Sequence, residues 1–147
     1  MGGKKKSFWQ RHSLSLAAAG VLALWILLYT RCDEHTHWGS FFGNDIADWT
    51  GLLVMVLATK VLYERGSKES KQPPHPLVAW LPDAIRAHDL TIFIVASGVA
   101  WVIAFARMDP NGKWGQVVGN IVSEWTQILG VVLLTKYLTE RGSKESG

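Results

Sequence analysis

The chain has 147 residues, of which 48% are hydrophobic, and it contains 8 Trp and carries a net charge of +3. The length corresponds to about one domain, but this hydrophobic fraction, grouped into separate stretches, is unusual for a water-soluble protein. Basic residues are not interleaved with aromatic residues as in a nucleic-acid-binding groove, so we expect no nucleic-acid partner. The sequence has no nucleophile elbow, phosphate loop or zinc-protease helix, so we expect neither an enzyme nor a bound cofactor.

Four apolar stretches predict four transmembrane helices. Residues 13–30 and 90–106 contain no charged side chain, and at about 1.5 Å per residue each can just cross a hydrocarbon core. Residues 46–63 and 121–139 are similarly apolar, with one acid near the start and one lysine near the end, where its long side chain reaches the headgroups. The predicted fold is an all-α membrane protein whose main partner is the lipid bilayer.

The basic residues predict how the four spans are oriented. They are concentrated before the first span, between the second and third spans, and after the fourth span. By the positive-inside rule, both termini and the central connector are cytoplasmic. We therefore predict a basic cytoplasmic N-terminus at residues 1–11 and a proline-rich cytoplasmic connector at residues 71–87.

A repeated heptapeptide reveals an internal duplication. The sequence Glu-Arg-Gly-Ser-Lys-Glu-Ser occurs at residues 64–70 and again at residues 140–146, an offset of 76. At this offset residues 11–70 align with residues 87–146 without a gap. We predict two tandem helical hairpins, residues 12–70 and 88–147. Each returns the chain to its starting side, so they should share one orientation about a pseudo-twofold axis along the membrane normal.

The heptapeptides have a structural and a functional interpretation. A helix that ended at Glu64 or Arg65 would be closed by Gly66 in the left-handed conformation, with the nearby bases favouring the negative helix end. A cap does not require the remaining residues to be repeated unchanged. The alternative is a cytoplasmic docking or ligand site, formed by Arg65, Ser67, Lys68, Glu69, Ser70, Arg141, Ser143, Lys144, Glu145 and Ser146.

Two acidic residues at equivalent positions also have two interpretations. Asn44 and Asn120 are expected to be N-caps of the second and fourth spans, which would place Asp48 and Glu124 in the first turns, where they complement the helix dipole. The functional alternative is an ion or proton site, because acids within a membrane are typically functional. Asp48 and Glu124 would then lie slightly below the outer surface.

The first outer loop contains metal-ligand residue types. Cys32, His35 and His37 follow the spacing Cys-x-x-His-x-His, and thiolate and imidazole together suit zinc or copper. The second loop lacks these ligands, so such a site would lie outside the duplicated pattern. His12 and His88, at the cytoplasmic starts of the first and third spans, are expected at the membrane interface, and bis-histidine haem ligation is the alternative.

The last span carries a resemblance to a known family. Residues 123–127, Ser-Glu-Trp-Thr-Gln, precede an apolar run and then Arg-Gly-Ser-Lys-Glu-Ser at residues 141–146. This pattern resembles a family of small bacterial integral membrane proteins of unknown function, in which an acid and an aromatic residue open the last span. The first copy departs from it at residues 47–51, Ala-Asp-Trp-Thr-Gly. The resemblance covers nearly the whole chain and implies a four-helix bacterial inner-membrane protein, without implying an activity.

These patterns lead to two hypotheses about function. The first is a non-catalytic structural or accessory subunit that packs in the membrane against further copies of itself or against a larger complex. The alternative is a small oligomeric channel or transporter for protons or cations that uses Asp48 and Glu124.

Overall fold

The computed structural model describes residues 7–70 and 75–144, and throughout these ranges the regular structure is helical. The long helices are α1 (Phe8–Arg31), α2 (His37–Ala58), α4 (Asp89–Arg107) and α5 (Lys113–Tyr137). A 3₁₀ turn (Pro76–Val78) and the one-turn helix α3 (Asp83–Arg86) lie between α2 and α4. The four long helices are long and apolar enough to cross a membrane, which confirms the predicted all-α class with four spans.

Both α2 and α5 begin earlier than the apolar stretches indicate. Thr36 accepts a hydrogen bond from the Gly39 amide and caps α2, and Gly112 is the residue before α5. The expectation that Asn44 and Asn120 are N-caps is therefore wrong, because both lie inside helices. The reason is that each helix begins with a segment, residues 37–45 and 113–120, in which polar residues and glycines alternate with apolar ones, so the apolar stretch starts later than the helix.

The long helices pack in the order α1, α2, α5, α4, with little or no contact between α1 and α4. The α2 and α5 helices are thus central. The core cluster consists of Tyr29, Ile46, Ala47, Leu90, Ile94, Val117, Ile121, Trp125 and Val132. Most residues of each span are not buried inside the chain, as expected where lipid is the solvent.

The layer of helices has two ends, which we name by their loops. The hairpin-loop end carries residues 32–36 and 108–112, where α1 turns into α2 and α4 turns into α5. The heptapeptide end is the opposite one, where α1 and α4 begin and α2 and α5 end.

The chain leaves α2 earlier than expected. α2 ends at Ala58, so Lys60 lies beyond it, whereas Lys136 is in the last turn of α5. Gly66 and Gly142 do adopt the left-handed conformation, with φ of 83° and 85°. The expectation that Gly66 closes the helix is nevertheless wrong, because the glycine lies in a separate turn well after Ala58. In this turn the Ser67 amide donates a hydrogen bond to the Glu64 carbonyl. The Ser143 amide donates to the Glu140 carbonyl in the same way.

Candidate functional site

Asp48 and Glu124 lie near the middle of the 22-residue α2 and of the 25-residue α5, not in their first turns. The expectation of a helix-dipole role at the outer surface is therefore wrong. In a membrane, both carboxyl groups would be close to the centre of the bilayer, where ionised side chains are most costly.

The two carboxyl groups lie close to each other. The Glu124 side chain is within hydrogen-bonding reach of the Asp48 side chain. Glu124 is accommodated by Gly51, since a β-carbon at that position would be 2.6 Å from Cγ of Glu124 and 3.0 Å from its Oε1. The absence of a side chain at residue 51 thus makes room for the second carboxyl between the central helices.

A pair of amides lies one turn away on the same two helices. Nδ2 of Asn120 donates a hydrogen bond to Oδ1 of Asn44 at 2.5 Å. Asn44 precedes Asp48 by four residues, so the amides lie about 6 Å along the helix towards the hairpin-loop end. Both the amide pair and the carboxyl pair join residues that are 76 positions apart.

The polar residues continue towards the hairpin-loop end at the same spacing. Ser40, Asn44 and Asp48 occur every four residues on α2, and all three are exposed on the surface of the chain. The next residue of this series, Leu52, is apolar. Since residues four apart share a helix face, α2 presents a polar stripe that runs from one end of the helix to its middle and stops there.

The structure also contains a polar cluster that sequence reasoning missed, at the heptapeptide end. Glu64 is 1% exposed, and its Oε1 contacts Nδ1 of His88 at 2.5 Å and accepts a hydrogen bond from Nζ of Lys136 at 2.8 Å. Its Oε2 accepts a hydrogen bond from the Thr91 hydroxyl at 2.5 Å. The carboxylate therefore ties the segment after α2 to the start of α4 and the end of α5.

Hydrogen bonding offsets the desolvation of this carboxylate. Burial by itself would raise the pKa of Glu64, but the hydrogen bonds from Lys136, Thr91 and His88 outweigh it and hold the pKa below its ordinary value. Glu64 is accordingly a buried anion with cationic and hydroxyl partners, the arrangement that makes a buried charge tolerable.

The rest of the first heptapeptide binds the same end of the helices. The Arg65 amide donates to the Ala87 carbonyl at 2.8 Å, and Oγ of Ser67 is 3.1 Å from Oγ1 of Thr135. Oγ of Ser70 accepts from the Glu64 amide at 2.8 Å and donates to the Glu64 carbonyl at 3.0 Å. The first heptapeptide thus docks on its own chain, with the serines and the glutamate carrying the contacts.

The second heptapeptide differs in its surroundings. Glu140 and Arg141 are exposed and Ser143 is half-buried, whereas Glu64, Ser67 and Ser70 are buried. Glu145 and Ser146, two of the predicted docking residues, lie outside the described residues. The two heptapeptides, although identical in sequence, therefore lie in different environments.

The outer-loop metal hypothesis gains no support. Within residues 7–70 and 75–144, no three His, Cys, Asp or Glu side chains are grouped so that they could hold a metal ion. The carbonyl of Cys32 accepts a hydrogen bond from Nζ of Lys113 at 2.6 Å, and His35 is 3.9 Å from Glu34. His12 and His88 have separate partners, Lys60 and Glu64 respectively.

One sequence signal pointed to the missed cluster. His88 and Lys136 have identical counterparts, His12 and Lys60, in the aligned first half, and Thr91 has a hydroxyl counterpart in Ser15. Identity at positions outside the apolar core indicates a shared polar role. The signal does not show that Glu64 is the residue these side chains bind.

No protein-family model, curated protein or solved structure matches the chain. The resemblance to a family of small bacterial membrane proteins therefore stays a prediction.

Proposed function

We propose that this protein conducts protons or monovalent cations across a membrane, with Asp48 and Glu124 as the central binding site. The observation that carries the proposal is the closeness of the two carboxyl groups, within hydrogen-bonding reach of each other near the middle of both central helices. Two adjacent carboxylates repel each other, so a proton or a cation between them is needed to keep the pair inside an apolar layer.

The surrounding residues fit this role. The hydrogen-bonded amides of Asn44 and Asn120 lie next to the carboxyl pair, and amide oxygens can replace part of the water around a cation. The polar stripe of Ser40, Asn44 and Asp48 leads to the pair from the hairpin-loop end, and Leu52 follows it. We propose that ions reach the pair from the hairpin-loop end and that the apolar residues beyond it form the barrier.

The proposed site is completed by oligomerisation. Asp48 is exposed on the surface of a single chain, and a carboxyl group facing acyl chains at mid-bilayer depth is strongly unfavourable. A second copy or a water-filled cavity must therefore cover it. We propose that the protein is a homo-oligomer in the bacterial inner membrane. Each chain would consist of two tandem hairpin repeats and have both termini in the cytoplasm.

Flux through purified protein in liposomes tests the proposal. A potassium diffusion potential is imposed and the internal pH is followed with a trapped dye, first without and then with added sodium. We expect flux from the wild type that Asp48→Asn and Glu124→Gln each reduce at least tenfold, with Thr126→Val as the control. Thr126 is a polar residue at similar depth on α5 that lines a groove facing α4. Absence of wild-type flux, or flux that the two carboxyl variants leave unchanged, would overturn the proposal.

A structural or accessory subunit is the second candidate, and the open packing of the helices favours it. α1 and α4 make little or no contact with each other, and much apolar surface remains exposed on all four spans. The mass and composition of the particle extracted in mild detergent distinguish the candidates. A stoichiometric second protein together with no ion flux supports the accessory role, and a particle containing this chain alone argues against a role within a larger complex.

A further inference from the structure

The heptapeptide end has one site in which a carboxylate is bound, which we call the filled site. It also has a second set of residues with the same chemical groups. In the filled site, Glu64 lies between His88 and Lys136, with Thr91 on its other oxygen. At the offset of 76, the corresponding residues are His12, Lys60 and Ser15. Each chemical group of the filled site, imidazole, ammonium and hydroxyl, thus recurs in the first half of the chain.

The structure brings two members of the second set, His12 and Lys60, together. Nζ of Lys60 lies 3.2 Å from Nδ1 of His12, although the two residues are 48 positions apart. In the filled site, the corresponding atoms of Lys136 and His88 both contact Oε1 of Glu64. The two basic groups of the first half are therefore placed as a pair that can receive one carboxylate oxygen, as their counterparts do.

The chain carries a matching ligand for this pair. Residues 140–146 have the same sequence as residues 64–70, and the turn in both has a left-handed glycine and a serine amide that donates a hydrogen bond to the glutamate carbonyl. α2 packs against α5, so the segment that leaves the end of α5 starts beside the end of α2, where Thr59 and Lys60 lie. The crossing mirrors that of the first heptapeptide, which passes from α2 to α5 and α4, but it starts from a helix that ends nearer its glutamate, at Tyr137 rather than at the counterpart of Ala58.

We propose that His12, Ser15 and Lys60 form a carboxylate-binding site whose ligand is Glu140 of the same chain. Oγ of Ser143 then pairs with Oγ1 of Thr59, as Ser67 pairs with Thr135. When both sites are filled, each heptapeptide holds the end of the other hairpin. In this structure Glu140 is exposed, so the proposal describes a second, fully closed arrangement of the heptapeptide end.

Disulfide formation between introduced cysteines tests this geometry in the full chain. The single cysteine is first removed by Cys32→Ser. The test pair is Ser143→Cys with Thr59→Cys, and the reference pair is Ser67→Cys with Thr135→Cys, whose native hydroxyl oxygens are 3.1 Å apart. Both are oxidised in liposomes, and the products are separated on non-reducing gels and identified by mass spectrometry. We expect an intramolecular disulfide in the test pair at a rate within about tenfold of the reference pair.

Charge variants, made in the protein that carries the test pair, distinguish binding of Glu140 from random collision of the two cysteines. Glu140→Gln removes the proposed ligand and is expected to slow disulfide formation about tenfold, consistent with the loss of one charge-assisted hydrogen bond. Arg141→Gln, at the neighbouring exposed position, is expected to change the rate less than twofold. The proposal is overturned if only the reference pair reacts, if the disulfide joins two different chains, or if Glu140→Gln leaves the rate unchanged.

Discussion

Nζ of Lys136 donates a hydrogen bond of 2.8 Å to Oε1 of Glu64, and this ion pair joins the last turn of α5 to the segment that follows α2. Both side chains are largely shielded from water, at 14% and 1% exposure. The pair therefore differs from surface ion pairs, which contribute little to stability. It links the two halves of the chain at the end opposite to the hairpin loops.

Replacing Glu64 with Gln should destabilise the protein more than replacing an exposed acid. The variant leaves Lys136, Thr91 and the half-exposed His88 ring with a poorer acceptor, and we expect a loss of about 2–3 kcal/mol in unfolding free energy. Asp83→Asn is the control, since that side chain is 87% exposed and only pairs with Arg86 at the surface. Unfolding in mixed micelles with increasing SDS measures both, and equal losses would contradict the prediction.

The same carboxylate predicts how stability depends on pH. The pKa of Glu64 is lower in the folded protein than its ordinary value of 4.5, so the unfolded chain binds a proton more readily. The stabilisation is present above pH 4.5 and is lost as the pH falls through the lower folded pKa. The difference in stability between wild type and Glu64→Gln should therefore shrink on acidification from pH 6 to pH 3. A difference that stays constant or grows over this range would show that the sign is wrong.

Two glycines at the hairpin-loop end should not tolerate even alanine. A β-carbon on Gly39 or Gly115 would overlap the backbone carbonyl oxygen of Asp33 or Asp109, in the turn that precedes the helix. Because backbone in a tight turn cannot move aside cheaply, we expect each alanine to cost at least about 2 kcal/mol.

Gly130→Ala is the control for these two substitutions. A β-carbon at Gly130 would have no neighbour within 4 Å, and alanine is intrinsically better than glycine in a helix by about 0.5–1 kcal/mol. We expect no loss, or a small gain, in resistance to thermal unfolding in detergent. The steric explanation fails if Gly39→Ala and Gly115→Ala behave like Gly130→Ala.

Tyr29 ties the end of α1 to the start of α5. Its hydroxyl donates a hydrogen bond to the Lys113 carbonyl, and the Lys113 ammonium lies 5.0 Å from the centre of the Tyr29 ring. Tyr29→Phe keeps the buried ring and removes the hydrogen bond, so we expect a loss of about 1 kcal/mol. Tyr137→Phe, at a residue 80% exposed, should have no effect in the same assay.

The sequence by itself determined the class of fold. Four long apolar stretches predict helices able to span a membrane, because only such segments satisfy their own backbone hydrogen bonds in lipid, and the structure has four such helices. The repeated heptapeptide likewise indicated a polar segment with a role of its own. Its glycine was expected to adopt the left-handed conformation, and both copies of the glycine do so. These are local properties, which the composition and spacing of neighbouring residues set.

Only the tertiary structure decided where the polar residues lie. The depth of Asp48 and Glu124 depends on where each helix begins. The turns at Asp33 and Asp109 set that start, before a segment of mixed polar and apolar residues that apolar patterning does not detect. The burial of Glu64 depends on His88, Thr91 and Lys136, which are 24 to 72 residues away in the chain. Such contacts arise from the packing of α2 against α5, which places the segment after α2 next to the start of α4 and the end of α5.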